Sequence, residues 1–179
     1  TAARRGECDI AGVHLMDPKT GTYNRHLLTE SLELVIGYRR RQGVVFRRGD
    51  ERFEGKSAGD AVRHAVGEAA CTMINRNPGS GTRVLIDQLL AAARPPGYNV
   101  QTKSHNAVAT SVTQGRADWG VAIDTVASSY DLGFLPLQDE HYDFIIPRNR
   151  LHRTAVVAFR QLLSEQPIRN QLVELGFTL

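Results

Sequence analysis

Residues 70–94 read ACTMINRNPGSGTRVLIDQLLAAAR, and this stretch sets the class of fold. The apolar run over 70–76 predicts a buried strand, and apolar residues on one face of 80–94 predict an amphipathic helix that ends before Pro95. The alternation continues with a strand, a helix and a strand, over 98–103, 104–115 and 117–123. Strands that alternate with crossover helices are typical of a parallel or mixed sheet, so we expect an α/β fold.

The segments on either side of this alternation are shorter and richer in turns. Residues 8–16 predict a buried strand, and residues 34–48 predict two strands that meet in a turn at Gln42-Gly43. Two more strands are expected on either side of an acidic loop, over 132–137 and 142–148. Helices are expected over 25–33, 60–67 and 151–164, and from Pro167 onward.

Two turns of the chain resemble each other. Residues 6–12 read GECDIAG and residues 115–121 read GRADWGV. In each, a glycine that ends a helix is followed by a polar residue, a small residue, an aspartate and an apolar strand. Two related lobes would produce this similarity, and chance is the alternative explanation.

Composition limits the functions that need to be considered. The chain has 179 residues, 41% hydrophobic and 23% charged, as expected for one compact domain or two small lobes. Its 22 basic and 19 acidic residues give a formal charge of +3, a smaller excess than strong nucleic-acid binders carry. We interpret its basic cluster as a solvated hairpin end rather than a phosphate-contacting surface. The cluster consists of Arg39, Arg40, Arg41, Arg47 and Arg48.

The cysteines and the hydropathy give expectations about the compartment. Cys8 and Cys71 lie far apart in apolar runs and lack the spacing of a zinc site, so we expect two buried free thiols and neither metal nor cofactor. No stretch approaches the roughly 18 apolar residues of a membrane helix. We therefore expect no membrane partner and a cytoplasmic location.

The segment that ends the strand before the first long helix has the character of an anion site. It reads NRNPGSGTR over residues 75–83. The first N–H groups of a helix have no internal acceptor and lie at the positive end of its dipole, so they can bind an anion. Glycines 79 and 81 allow a close approach, while Ser80 and Thr82 add hydroxyls and Arg76 or Arg83 can add a charged fork. A plain serine-capped helix after a glycine turn is the alternative.

Other residues could join such a site. The segment is neither a Walker A loop nor a dinucleotide-binding GxGxxG motif, so it predicts no kinase or dehydrogenase. Ser104 begins a second helix, either as a donor to the same anion or as a simple N-cap, and His105 follows it. His14 ends the first strand and either lines a site or is an ordinary strand-end residue.

Several stretches together resemble a known family. They are GECDIAGVHLMDPKTGTYN, RRQGVVFRRGD, NRNPGSGTR, SHNAVATSVTQGRADWGVAI and HYDFIIPRNR, in that order. These stretches resemble the type II periplasmic-binding-protein-like domain that is associated with molybdenum-cofactor proteins and with helix-turn-helix regulators. The resemblance implies two α/β lobes that close over a ligand.

The resemblance also implies where the ligand is bound and what it is. Ser-Gly-Thr at a helix start is similar to the oxyanion sites of phosphate- and tungstate-binding relatives. Carried over by position, the ligand contacts are Arg76, Ser80, Gly81, Thr82, Ser104 and His14. The implied ligand is molybdate, tungstate or a related anion.

The chain departs from the family at its beginning. Such domains usually open with a strand, helix, strand and helix, whereas this chain begins near the end of the second helix. We therefore expect a first lobe, residues 1–36 and 143–179, that is incomplete and carries the C-terminal helices. Residues 37–142 form the second lobe with the anion site. An incomplete lobe with an exposed sheet edge favours pairing with another chain.

These observations predict a sensory, ligand-binding domain rather than an enzyme. No nucleophile and base are placed together, so we expect no catalytic residues. A fused or partner domain, such as a helix-turn-helix regulator or a molybdenum-cofactor biosynthesis protein, would respond to closure of the lobes on the anion. The alternative is an accessory domain of a molybdenum-cofactor biosynthesis enzyme that binds a phosphorylated or pterin-type ligand. We expect no direct nucleic-acid contact from this chain.

Overall fold

A computed structural model describes residues 2–17 and 19–179, and their architecture is mixed α/β. Six strands are hydrogen-bonded in the order β1-β6-β2-β5-β3-β4. The chain divides into two compact units: unit 1 comprises residues 1–40 and 140–179, and unit 2 comprises residues 41–139. The lobe borders expected from the sequence stay a prediction, because the units are defined by packing and not by motion.

Unit 2 contains the strand and helix alternation that the sequence predicts. Its own strands are β3 (Met73–Arg76), β4 (Gln101–Thr102) and β5 (Trp119–Ile123). Its helices are α1 (Ala58–Gly67), α2 (Gly81–Leu90), α3 (His105–Thr113) and α4 (Asp124–Ser129). β3 runs parallel to both β4 and β5, and β5 is antiparallel to β2 (Leu32–Arg47). Parallel neighbours end at the same edge, so α2 and α3 begin close together.

The sheet of unit 2 is covered on both faces. Successive side chains of a strand point to opposite faces, so Val44 and Val45 of β2 enter different clusters. Val44 packs with apolar residues of α1 and α2 around Trp119, which is fully buried. Val45 packs with residues of α3 and α4 such as Val108. Burial on both faces explains why the sequence of β5 is a continuous apolar run.

Unit 1 is built around β6 (Leu132–Pro147), against which β1 (Ala11–Val13) pairs antiparallel. Helices α5 (Thr154–Ser164) and α6 (Gln166–Glu174) follow, and Thr178 then forms a β-bridge with Arg39. Ala3, Val13, Leu32 and Ile145 form one buried apolar cluster of this unit. Among the described residues, no helix is both long and apolar enough to cross a bilayer.

The predicted turn at Gln42-Gly43 is wrong. β2 runs through these residues without interruption, and they pair with Ile123 and Ala122 of β5. A glycine is needed at position 43 because the backbone of β6 lies very close to it: a Cβ there would be 2.4 Å from the Leu135 carbonyl oxygen. The basic cluster therefore lies along a strand and its end, and is not the end of a hairpin.

The predicted acidic loop between residues 137 and 142 is also wrong. β6 is one strand over Leu132–Pro147, and Glu140 within it is only 1% exposed. A buried carboxylate is tolerated because basic partners pair with it across the strands.

Several other predicted elements are shorter in the structure. The strand over 8–16 is reduced to β1, and the helix over 25–33 to a 3-10 turn at Arg25–Leu27. The helix predicted to reach residue 94 ends at Leu90, because Ala91 adopts a left-handed conformation. The thiols of Cys8 and Cys71 are both free; Cys71 is buried and Cys8 is half-buried.

The two similar turns adopt similar structures. Gly6 and Gly115 both have a positive φ, of 74° and 69°, which a glycine accommodates without strain. Asp9 and Asp118, three residues later, each accept hydrogen bonds from two arginines. The sequence similarity thus extends to backbone and side-chain geometry.

Candidate functional site

The turn between β3 and α2 presents the start of the helix at the edge of the sheet. Gly79 has a φ of 83° and turns the chain, and Ser80 is the N-cap. The Ser80 hydroxyl accepts a hydrogen bond from the Arg83 N–H at 3.2 Å and donates one to the Asn77 carbonyl at 3.0 Å. Ser80 therefore shapes the turn. The backbone N–H groups of the first helical residues, Gly81 and Thr82, are the donors that a helix start offers to an anion.

Arg76 connects the starts of two helices. Its side chain is at the end of β3 and the residue is only 7% exposed. The guanidinium Nη1 lies 3.5 Å from the Thr82 hydroxyl of α2 and 3.2 Å from His105 Nδ1 of α3. Nη2 donates to the Lys103 carbonyl at 3.4 Å. A buried guanidinium thus lies where two positive helix ends converge.

The start of α3 repeats the arrangement of α2. Ser104 is its N-cap, and its hydroxyl accepts a hydrogen bond from the Ala107 N–H at 3.1 Å. Because β3 and β4 are parallel neighbours, the two capped helices begin at one edge of unit 2. The structure therefore brings together five of the six predicted site residues: Arg76, Ser80, Gly81, Thr82 and Ser104.

Arg83, the alternative to Arg76 as the guanidinium of the anion site, contacts other protein groups instead. Its Nε lies 2.8 Å from the Asp87 carboxylate, its Nη1 donates to the Arg76 carbonyl, and its Nη2 contacts the Tyr98 hydroxyl. Burial raises the pKa of Asp87, but the hydrogen bonds from Arg83 and Tyr98 outweigh this effect, so the pKa lies below its usual range. Arg83 therefore ties α2 to the loop before β4.

His14, the sixth predicted site residue, belongs to unit 1. Its Nδ1 lies 2.9 Å from Glu140 Oε1, and Arg40 Nε contacts the other carboxylate oxygen. Burial raises the pKa of Glu140, but His14 and Arg40 outweigh this effect and hold the pKa below its usual range. Glu140 was not identified from the sequence, because its partners are about a hundred residues or more away in the chain.

Residues 2–17 and 19–179 contain no group of three or more His, Cys, Asp or Glu side chains that could hold a metal ion. The chemistry of unit 2's edge is that of hydrogen-bond donors and positive charge. Donors and positive charge at the start of a helix are features that can bind an anion.

Comparison with known proteins identifies the class. Residues 1–164 match the model of the PBP superfamily domain, so the chain belongs to the family of periplasmic-binding-protein-like domains. It is 31% identical over 183 residues to the uncharacterised protein YvgK of Bacillus subtilis, and the match covers 96% of this chain. The chain spans only 56% of the length of that relative.

Solved structures share the fold at low sequence identity. An ABC-type phosphate transport receptor from Vibrio cholerae has a TM-score of 0.65 at 11% identity, over 99% of this chain and 82% of that protein. A probable transcriptional regulator from Pseudomonas aeruginosa, PA0477, has a TM-score of 0.62 at 19% identity, over 91% of this chain and 51% of that protein. Two-lobed type II binding-protein folds are thus the structural neighbours of this chain.

Proposed function

We propose that this chain is a binding domain for a small oxyanion, with molybdate or tungstate as the first candidates, and has no catalytic activity of its own. The observation that carries the proposal is the position of Arg76. Its buried guanidinium contacts the first turns of both α2 and α3, where a bound anion would add the negative charge that this edge of unit 2 favours.

The chemistry of the edge supports an oxyanion over an apolar ligand. Backbone N–H groups of Gly81 and Thr82 and a guanidinium donate hydrogen bonds and accept none, which suits a ligand with several acceptor oxygens. The fold shared with a phosphate receptor supports the same class of ligand. Molybdate and tungstate are favoured by the family resemblance of the sequence, and a phosphorylated or pterin-type ligand is the alternative.

We propose further that a second domain or a partner chain responds to ligand binding by this domain. The chain spans about half of YvgK and of the regulator PA0477, which supports a place beside another domain. A helix-turn-helix regulator or a molybdenum-cofactor biosynthesis protein is the proposed partner, and the cytoplasm is the proposed location.

Calorimetric titration with molybdate, tungstate, sulfate and phosphate tests the proposal. Gly81→Pro is the sharpest variant, because proline is favoured at the first helical position. It removes the N–H of residue 81, and its ring also occupies the space through which the glycine lets a ligand approach. The residue before it, Ser80, already has the extended conformation that precedes a proline. We expect a native unfolding temperature and binding that is at least about tenfold weaker, because at least one charged hydrogen bond is lost.

A pair of serine caps provides the matched control. Ser57 caps α1 as Ser80 caps α2, each accepting from the N–H three residues later, at 3.1 and 3.2 Å. Ser57→Ala and Ser80→Ala should each lower stability by about 1 kcal/mol. Only Ser80→Ala should also weaken anion binding. Equal affinities in both variants and in Gly81→Pro would place the ligand elsewhere, and the absence of binding in the unmodified chain would refute the proposed function.

A further inference from the structure

A cavity of about 370 Å³ opens at the end of unit 1 where β2 begins and β6 ends. Its walls come from the residues before β1, from the start of β2 and from the residues around the end of β6. Arg4, Arg148 and Arg150 line it together with Leu32 and Pro147. Cavities of this size are within the range of small-molecule sites in proteins. Because every residue that lines it belongs to unit 1, the cavity is separate from the edge where α2 and α3 begin.

Glu33 of β2 is shared by two arginines beside the cavity. Its carboxylate lies 3.3 Å from Arg148 Nη1 and 3.4 Å from Arg160 Nη2. The side chains of these arginines are 57% and 44% exposed, so solvent reaches both. A guanidinium has five N–H donors, and the contact between Arg148 and Glu33 uses a single nitrogen. Arg148 can therefore donate hydrogen bonds to a ligand in the cavity while Glu33 stays beside it.

Asp9 is also shared by two arginines. Arg150 Nη1 and Arg153 Nη1 both contact its carboxylate, and Arg150 Nη2 donates to the Gly6 carbonyl at 2.8 Å. Arg150 therefore fixes the turn at the wall of the cavity. The exposed Arg4 adds a further guanidinium to the lining. The five arginines and the two carboxylates of this region carry a net charge of +3, which attracts anions.

The chemistry of the cavity fits a phosphate group joined to an organic part. Guanidinium groups donate paired hydrogen bonds to phosphate oxygens. A phosphate monoester carries about 1.5 to 2 negative charges at neutral pH, which the net charge of the region complements. The cavity has room for roughly twelve groups of the size of water, so a bare phosphate would leave most of it empty. Leu32 and Pro147 line the cavity with apolar groups that can contact the remainder of the ligand.

We propose that this cavity is a second binding site, for a small organic phosphate monoester, with Arg4 and Arg148 as its contacts to the phosphate. These arginines come from the segments before β1 and after β6, so the phosphate is held between two walls of the cavity. Binding here does not depend on the proposed function, because the two sites share no residue. The chain thus binds two ligands that differ in size: a bare oxyanion at unit 2 and an organic phosphate at unit 1.

Calorimetric titration with phenyl phosphate tests the site, and inorganic phosphate is the comparison. The intact chain is titrated with and without Gly81→Pro, so that binding at unit 2 is separated from binding at unit 1. We expect phenyl phosphate to saturate one site in the Gly81→Pro chain. Inorganic phosphate should bind there at least about tenfold more weakly, because it lacks the apolar ring. Equal affinities for the two probes would overturn the assignment of an organic ligand.

Arg148→Gln and Arg160→Gln are a matched pair of variants. Each removes one positive charge and one contact with Glu33, and of these two described residues Arg148 is the one that lines the cavity. Arg4→Gln and Arg5→Gln are a second pair, at adjacent exposed residues of which Arg4 lines it. We expect Arg148→Gln and Arg4→Gln to weaken phenyl phosphate binding about tenfold or more, through loss of a charged hydrogen bond. The two controls should weaken it less than about threefold, because exposed charges at a distance are screened.

The pattern across the variants decides the question. Weakening confined to Arg148→Gln and Arg4→Gln, with native circular dichroism, supports the site. Equal weakening in the controls would reduce binding to a general attraction to positive charge and refute the site, and so would the absence of phenyl phosphate binding in the unmodified chain. Because Arg148 and Arg4 lie in separate segments, one pair suffices if a variant of the other does not fold. Phenyl phosphate binding without tungstate or molybdate binding would refute the proposed function and retain this site, and the reverse result would do the opposite.

Discussion

Asp118 connects three segments of unit 2 through one carboxylate. Its Oδ1 accepts hydrogen bonds from Arg47 and Arg52 at 2.9 and 2.8 Å, and its Oδ2 accepts one from the Thr72 N–H at 2.8 Å. Burial raises the pKa of Asp118, but these partners outweigh that effect and lower the pKa overall. The ionised form is therefore stabilised by folding.

This carboxylate should make the stability of the protein depend on pH. Because its pKa is lower in the folded than in the unfolded chain, its contribution is present above the unfolded value of about 3.9 and is lost as pH falls through the folded value. Asp118→Asn should cost about 1.5–3 kcal/mol at neutral pH, and the cost should decrease as pH falls below about 3.9. Urea unfolding of both proteins at about pH 7 and about pH 3 measures the decrease. Asp131→Asn, which removes a partner from an exposed ion pair, should cost less than about 1 kcal/mol.

The Cys71 thiol should be chemically inert in the folded protein. The residue has no exposed surface, and burial raises the pKa of Cys71 to about 11, so the reactive thiolate is scarce at neutral pH. In a Cys8→Ser background, a disulfide reagent should label no thiol until denaturant is added. Rapid labelling of the native variant would contradict the packing described for α1 and α2.

Gly43 shows why β2 can be one long strand. A side chain at this position would meet the Leu135 carbonyl and the Phe134 ring, at 2.4 and 2.5 Å. The neighbouring backbone of β6 cannot move away as a flexible side chain could. The glycine therefore permits close contact between two strands, where a glycine in a polar context otherwise indicates a turn.

Gly43→Ala should consequently destabilise the protein by about 1–3 kcal/mol through overpacking. The comparison is Gly67→Ala, at the last residue of α1, where the added carbon would meet no heavy atom within 4 Å apart from its chain neighbours and the backbone of its own helix. That variant should be neutral or slightly stabilising. Chemical denaturation of both variants provides the measurement, and equal midpoints would contradict the close approach.

The elements that the sequence predicts well are those with a local cause. α2 and α3 begin where a serine can cap them, and α1 is present where the pattern places it. The two errors in β2 and β6 have a non-local cause. Gln42 and Glu140 are buried polar residues whose partners lie far away in the chain, so each resembles a loop when only its neighbours are considered.

In the candidate site, too, the features with a local cause are predictable from the sequence and those with a non-local cause are not. The glycines and the serine cap of the 75–83 segment predict a helix start that could bind an anion, and the structure has that helix start. The contact of Arg76 with His105 depends on β3 and β4 being neighbours, and the contact of Glu140 with His14 depends on β1 pairing beside β6. Neither of these two strand pairings can be recognised from a short stretch of sequence.

Across the whole molecule, most of the basic cluster is neutralised by acidic partners. Arg41 pairs with Asp124, Arg47 with Asp118 and Arg48 with Asp131, at 2.9 to 3.1 Å. Binding to phosphates would require these contacts to break, and the formal charge of the chain is only +3.

We therefore expect no saturable binding of a 20-base-pair DNA duplex at about 150 mM salt, where nonspecific electrostatic binding is already weak. Fluorescence anisotropy with increasing protein, repeated at about 50 mM salt, makes the test. Tight binding at the higher salt would assign the arginines of β2 to a nucleic-acid surface after all.

The division of the chain also has a consequence for its biosynthesis. Unit 2 is one continuous stretch, residues 41–139, whereas unit 1 combines residues 1–40 with residues 140–179. A ribosome completes unit 2 while the second half of unit 1 is still untranslated. The edge of unit 2 where α2 and α3 begin can thus form during translation, as domains commonly do, whereas His14 meets Glu140 only after β6 has left the exit tunnel.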